Sequence, residues 1–186
     1  HTIKESIHLA KEKGAYPAFK GSDWENGAYF VKRGYNSKDS GQDWDSVKKE
    51  AAEYGIRNGY LLAVAPNAST ALIAGSTPSI DPIYRKQYSE EQKNYRLPVT
   101  APAPNAETTW YNKSANTIDQ SYSIKQNAKR QKHIDQAISF NIYIRNTIKA
   151  VELLNYHLQA WEEGLKTTYY VRSTSSDIEE CESCSS

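Results

Sequence analysis

Chemistry can enter this sequence at two places close to its C-terminal end. Tyr169 and Tyr170 are adjacent within Gly164-Leu165-Lys166-Thr167-Thr168-Tyr169-Tyr170-Val171-Arg172, and Cys181-Glu182-Ser183-Cys184 follows after a polar spacer. A buried strand carries Tyr for packing alone, whereas a cysteine pair in a polar tail staples nothing and packs against nothing. Taken together, the pairs point to one-electron chemistry beside thiol chemistry. A third place is the turn Pro66-Asn67-Ala68-Ser69-Thr70, which precedes Ala71-Leu72-Ile73-Ala74, read as a helix start. The first N–H groups of a helix are unpaired and carry partial positive charge, so they attract phosphate. Small residues let an anion approach, and Ser69 and Thr70 add hydroxyl donors. The same residues also suit an ordinary N-cap.

The elements that must hold these residues can be read from capping and periodicity. Thr2-Ile3-Lys4-Glu5 has the form of a capping box, with Thr2 as N-cap and Glu5 reaching back. Ile3, Ile7 and Ala10 then share one face, and Gly14 stops the helix. Residues 15–42 read as a loop, broken by Pro17, Gly21, Gly27 and Gly34 and pinned by Tyr16, Phe19, Trp24, Tyr29 and Phe30. A second helix starts at Asp43, carries Trp44, Val47, Ala51 and Tyr54 on one side, and ends at Gly55. The run Tyr60-Leu61-Leu62-Ala63-Val64-Ala65 is continuously apolar, the pattern of a strand covered on both faces.

Between Ile80 and Ile118 the periodicity is weak, and the reading is a long excursion with one short helix near residues 89–94. A polar helix follows from Asp119 to about His133. Ile138, Phe140, Ile142 and Ile144 alternate with Ala137, Ser139, Asn141 and Tyr143 in a period-two strand. Asn146 is placed to cap a helix through Glu163, in which Ile148, Val151, Leu154, Leu158, Trp161 and Leu165 form a stripe read as core packing. Gly164 ends that helix, and residues 167–171 make the last strand. Helices between successive strands imply parallel βαβ units, an α/β fold. Domain organisation is then one body over residues 1–172 with a flexible tail over 173–186, which holds one Ile, four acids and many serines.

The composition sets bounds. A chain of 186 residues can bury a real core. A formal net charge of +1 gives no field that gathers nucleic acid, and Lys129-Arg130-Gln131-Lys132-His133 reads as a solvated helix face. Without an apolar run of about 18 residues, no membrane span is expected. Two cysteines close together suit a reducing, cytoplasmic location. His8, His133 and His157 lack metal-ligand spacing. The chain opens on His1 and contains no Met, so it reads as a fragment, a processed piece or one part of a split subunit.

Residues 164–172, with Ala65-Pro66-Asn67-Ala68-Ser69-Thr70 and Ile134-Asp135-Gln136-Ala137-Ile138-Ser139-Phe140, resemble the C-terminal part of a class I ribonucleotide reductase large subunit, most closely the class Ib form. The resemblance runs over essentially the whole chain in consistent order. It implies the last part of a ten-stranded α/β barrel, three of its strands lying here, with residues 15–42 wrapped on the barrel surface. The implied reaction converts ribonucleoside diphosphates to deoxyribonucleoside diphosphates by a thiyl-radical route. Residues 66–70 would hold the substrate diphosphate. Tyr169 and Tyr170 would relay an oxidising equivalent from a radical-bearing small subunit, since a phenol can lose an electron and a proton together and regain both. Adjacent residues of a regular strand point to opposite faces, so stacked rings there require an irregular strand end. The helix ending at Glu163 would help bind the small subunit's C-terminal peptide.

Cys181 and Cys184 keep three readings. A zinc pair lacks the further ligands such sites use, and an incidental pair is the second. The third, which fits the resemblance, is a dithiol that re-reduces an active-site disulfide and is itself reduced by a thioredoxin- or glutaredoxin-like protein. The nine steps from Arg172 to Cys181 span about 30 Å when extended, and Glu179, Glu180 and Glu182 disfavour thiolate. No cofactor is expected on this chain; the dinuclear metal and radical belong to the small subunit. The radical-forming cysteine is expected in an upstream portion, without which the chain would be silent. Two alternatives are a non-catalytic fragment that docks the small subunit and a simple dithiol redox carrier.

Overall fold

The computed structural model describes residues 1–91, 94, 96–102, 105 and 114–174. Cys181 and Cys184 lie outside the described residues. The chain divides into two units, His1–Leu62 and Ala63–Ser186.

In the first unit, α1 (Thr2–Lys13) buries Ile7 and Ala10, and α4 (Trp44–Tyr54) buries Val47 and Ala51. With Trp24, Phe30 and Ile56 these make its apolar core. The expected capping box does not form. Thr2 is already helical, His1 occupies the N-cap without a side-chain bond, and the His1 carbonyl accepts from the Glu5 N–H. A threonine can cap only from outside the helix. Asp43 does cap α4, its carboxylate accepting from the Ser46 N–H at 3.0 Å. The stretch read as loop contains two short helices, α2 (Ala28–Lys32) and α3 (Ser37–Ser40). Aromatic packing sets its course: Trp24 stacks on Tyr29 at 3.5 Å and Tyr35 on Trp44 at 4.4 Å. Gly55 leaves α4 at φ 75 and ψ −175, and a Cβ there would come within 2.6 Å of Ala15 Cβ.

In the second unit the segment 138–144 is the axis. Its even-numbered residues Ile138, Phe140, Ile142 and Ile144 enter a core with Ile124 and Ala128 of α6 (Gln120–Gln131), Ala160 of α7 (Ala150–Glu162) and Leu165. Val64 makes a parallel bridge to Ile138 on one side of this segment. On the other side, β3 (Ile142–Ile144) pairs in parallel with β4 (Val171–Ser173), and α7 is the crossover between them. The parallel βαβ expectation is therefore met at β3–α7–β4.

Several boundaries differ from the sequence reading, for identifiable reasons. The apolar run 60–65 is not a two-sided strand: among the described residues its β-bridge is at Val64, and Tyr60 is 71% exposed. A continuous apolar run needs neighbours on both edges to become a central strand, and Val64 finds one. Near residues 89–94 the chain forms β1 (Gln87–Glu91), which pairs antiparallel with β2 (Arg96–Thr100) in place of the expected helix. The register sets Tyr88 opposite Val99, and tertiary pairing of this kind overrides weak local helix preference. The helix expected from Asp119 is α6, and Asp119 caps it, its side chain accepting from the Ser121 N–H at 2.9 Å. Asn146 is not the cap of α7; Lys149 is, and the Asn146 N–H donates to Thr174 Oγ1.

Of the stripe read as core packing, only Ile148 and Leu165, which flank α7, reach the core. Val151 is 60% exposed, Leu154 55%, Leu158 47% and Trp161 75%, while Leu153, Tyr156 and Ala160 face the core. This helix carries two apolar stripes, and periodicity alone cannot say which one is buried.

Candidate functional site

Tyr169 and Tyr170 sit at the entrance to β4, where the parallel ladder is irregular. The Tyr169 N–H donates to the Phe140 carbonyl at 2.8 Å, and the Ile142 N–H donates to the Tyr170 carbonyl at 2.9 Å. In a regular parallel ladder one residue makes both bonds on either side of Asn141. Here two residues share that work, which is a β-bulge with a two-against-one count. The bulge removes the strict alternation of side chains. The two rings lie 4.0 Å apart between centroids, tilted by 48°, and the Tyr169 O–H donates to the Tyr170 oxygen at 3.2 Å. Both rings are about half exposed. The strand accordingly starts at Val171, four residues later than the pattern indicated.

The electrostatics follow from these contacts. The bond to Tyr170 is the main reason the Tyr169 phenol is held above its ordinary pKa, with charge repulsion from Tyr170 and slight desolvation adding to it and Arg172 opposing. The Arg172 guanidinium lies 5.4 Å from the centre of the Tyr170 ring. A cation so placed disfavours a radical cation on that ring, so oxidation there should release the phenolic proton with the electron.

A bulge leaves one amide without a ladder partner, and Asn141 supplies it. The Tyr170 N–H donates to Asn141 Oδ1 at 3.1 Å. The other end of that side chain, Nδ2, donates to Asp81 Oδ2, while the Asn141 N–H donates to Asp81 Oδ1 at 3.3 Å. Tyr143 O–H donates to the same carboxylate at 3.2 Å. All three residues are buried. Burial pushes the Asp81 carboxyl above its ordinary range, against the bonds from Asn141 and Tyr143 and the charge of Arg172. Burial and the adjacent carboxylate likewise push the Tyr143 phenol strongly upward. Asp81 is brought here by Ser79, which adopts a left-handed conformation (φ 54) and donates its hydroxyl to the Ser139 carbonyl at 2.5 Å. A cavity of about 480 Å³ opens beside Asp81 and Tyr143, lined also by Tyr84, Arg85 and Tyr88.

Residues 66–70 leave the bridged Val64 at the carboxyl end of its segment. The helix begins earlier than expected, with α5 at Ala68–Ile73 and Asn67 as a left-handed N-cap (φ 49). Ala68, Ser69 and Thr70 therefore form the first helical turn. Thr70 Oγ1 donates to the Asn67 carbonyl at 3.3 Å, and Asn67 Nδ2 donates to the Ala65 carbonyl at 3.2 Å. The whole stretch 65–70 is exposed. In open and closed α/β sheets ligands gather at this carboxyl end.

Comparison with known proteins places this architecture. The family described as ribonucleotide reductase, barrel domain, matches residues 1–171. The chain belongs to that family. The ribonucleoside-diphosphate reductase subunit alpha of Treponema pallidum is 47% identical over 184 residues, which cover 99% of this chain and 21% of that protein. The subunit of the same name from Helicobacter pylori is 38% identical over 190 residues, covering 97% and 24%. That from Bacillus subtilis is 29% identical over 203 residues, covering 99% and 29%. The chain thus spans roughly a fifth to three-tenths of the length of these relatives.

Within this reductase barrel domain, the segment 138–144 holds both candidate regions. Val64, just before the 66–70 turn, bonds to Ala137 and Ser139, and the tyrosine pair bonds to Phe140 and Ile142 from the opposite side. Asp135 and Gln136 have local structural contacts: the Asp135 carbonyl accepts from the Lys166 ammonium and the Gln136 carbonyl from Gln131. His157 contacts Thr168 Oγ1 through Nδ1 at 3.3 Å, and His8 pairs with Glu12 on the surface. Among the described residues no group of three or more His, Cys, Asp or Glu side chains is gathered as for a metal, and no helix is long and apolar enough to cross a membrane. Sequence reasoning missed Asp81, Asn141 and Tyr143. The available signal was a polar Asn and a Tyr on the second face of an otherwise apolar strand.

Proposed function

We propose that this chain is the part of a ribonucleoside-diphosphate reductase large subunit that receives the oxidising equivalent, holds the substrate diphosphate and resets the enzyme's thiols. The observation that carries this reading is the tyrosine bulge, with its two half-exposed phenols in hydrogen-bond contact, in a chain of this family. When Tyr170 has lost an electron and its proton, Tyr169 can give up its own electron and the proton already directed at the Tyr170 oxygen. Tyr170 is then restored as a phenol and Tyr169 becomes the phenoxyl radical. The exchange is nearly symmetric, so little driving force is lost in the hop.

The first turn of α5, with Ser69 and the N–H groups of residues 68–70, would hold the diphosphate of a ribonucleoside diphosphate, with Pro66 and Asn67 shaping the approach. Cys181 and Cys184 would pass electrons from a thioredoxin- or glutaredoxin-like protein to an active-site disulfide. The dinuclear metal and the initiating radical would reside on the small subunit, in the cytoplasm. The exposed stripe Val151, Leu154, Leu158 and Trp161 would take an apolar segment of that subunit. A second, non-catalytic reading draws on this same stripe: a docking module alone.

The test places the chain within its complete large subunit, adds the small subunit and a dithiol, and measures deoxyribonucleoside diphosphate formation with Tyr170→Phe and Tyr169→Phe variants. Loss of turnover with retained small-subunit binding supports the relay. Normal turnover in either variant rejects it, and binding without any wild-type turnover leaves the docking module.

A further inference from the structure

We propose that Asp81 and Asn141 form a positioning pair that fixes the bulge at Tyr169–Tyr170 and so sets the distance between the two phenols. The proposal rests on the relay reading of those tyrosines. It starts from the bond count around Asn141. Tyr169 and Tyr170 together occupy the place of one residue opposite Asn141, which leaves the Tyr170 N–H as the surplus donor. An unpaired amide at a partly buried position is costly, and a parallel pair can remove the cost by slipping into regular register. A slip of that kind restores alternation and sends the two rings to opposite faces. Asn141 blocks the slip because its Oδ1 takes the surplus N–H at 3.1 Å.

Asn141 can do this only if its amide keeps one orientation. Rotated by half a turn it would present Nδ2 to the Tyr170 N–H, donor against donor. Asp81 fixes the choice. Its carboxylate accepts from Nδ2 through Oδ2 and from the Asn141 backbone N–H through Oδ1, so the side chain is gripped at two points. Asp81 is itself held in place: Tyr143 O–H donates to it, and Ser79, two residues earlier, is bound to the Ser139 carbonyl. The segments 79–81 and 139–143 therefore form one buried clamp whose free end is the oxygen that meets Tyr170. None of these groups touches the phenol oxygens, so the pair acts through geometry alone.

The experiment uses the complete large subunit with its small subunit. Asn141→Ala and Asp81→Ala are each expected to lower kcat roughly 10- to 100-fold, the scale of a misplacement near 1 Å, with substrate KM unchanged within about twofold. The double variant should be no slower than the worse single one, because both act through one bond. Asp81→Asn keeps one acceptor for Asn141 Nδ2 but turns an amide donor toward the Asn141 backbone N–H, so its kcat should lie between those of the wild type and Asp81→Ala. A tyrosine analogue of lower oxidation potential placed at position 170, read by electron paramagnetic resonance, should still form its radical in Asn141→Ala while turnover stays slow. Full kcat in folded Asn141→Ala overturns the pair. So does equal loss in Asp81→Asn and Asp81→Ala, or a rise in KM that matches the fall in kcat, since either marks a general structural defect. Tyr170→Phe serves as the control. An inactive Tyr170→Phe with a fully active Asn141→Ala sinks the clamp alone, and an active Tyr170→Phe sinks the relay beneath it.

Discussion

The sharpest consequence of the bulge is what a single oxygen should do at Tyr170. Tyr170→Phe removes the hydroxyl that accepts from Tyr169 at 3.2 Å and leaves the ring, the tilted ring contact at 4.0 Å and both ladder bonds in place. The side chain is 51% exposed, and exposed substitutions away from special features stay within about 0.5 kcal/mol. A perturbation of that size changes any binding or folding equilibrium about twofold, because a tenfold change needs about 1.4 kcal/mol. Structural damage can therefore explain a twofold loss of rate and no more than that. The relay requires much more: phenylalanine has no O–H to give, so kcat should fall to background while substrate KM and small-subunit affinity stay within about twofold. Deoxyribonucleoside diphosphate formation by the complete large subunit, measured beside a melting curve and a binding titration, separates the two scales. A Phe variant with more than about a third of wild-type kcat would refute the reasoning, however close the rings lie.

Tyr169→Phe should be equally inactive, and the double Phe variant no worse than either, since steps in series cannot be lost twice; additive losses would speak against a series relay. Ser69→Ala with Thr70→Ala should raise the substrate KM several-fold more than it lowers kcat, as measured by initial rates with a ribonucleoside diphosphate, and most of the effect should come from Ser69 because Thr70 is engaged with the Asn67 carbonyl. Cys181→Ser or Cys184→Ser should abolish turnover supported by a thioredoxin-like protein and spare turnover supported by a small dithiol. Gly55→Ala should cost about 2–4 kcal/mol, because φ 75 with ψ −175 is a region for glycine and the new methyl would meet Ala15 Cβ at 2.6 Å; an unchanged melting temperature would show that α4 ends differently in solution.

The parts of this fold that were legible in the sequence are those fixed by local rules. The helix starts read at Asp43 and Asp119 hold, and each of the two side chains proves to be the cap. The alternation through Ile138, Phe140, Ile142 and Ile144 identifies one covered face without any knowledge of the neighbours. The parallel pairing of β3 with β4 was also legible, but other judgements that depended on a partner failed. The run 60–65 looks like a central strand, yet among the described residues its β-bridge is the one from Val64 to Ile138. Local preference at 89–94 pointed to a helix, while a ladder with residues 96–100 decided for a strand.

The same distinction explains why the tyrosine site was only half legible. Adjacent phenols are visible in the sequence, and so is the requirement that the strand be irregular if the rings are to meet. The means of making it irregular is not visible, because it lies 29 residues upstream in Asn141 and a further 60 upstream in Asp81. On α7 the sequence shows two stripes and no way to choose between them; the core takes Leu153, Tyr156 and Ala160, and leaves Val151, Leu154, Leu158 and Trp161 outward. The outward stripe is too apolar to be explained by solvation. Four large apolar side chains left in water on successive turns make sense if a partner covers them, and α7 is also the crossover that delivers the chain to Tyr169. If the small subunit grips this helix, the grip and the first phenol of the relay are joined by fewer than ten residues. Substituting Trp161 by Glu should then weaken small-subunit binding and slow turnover together, with saturating small subunit restoring the rate; a slow rate that saturation cannot restore would separate docking from α7.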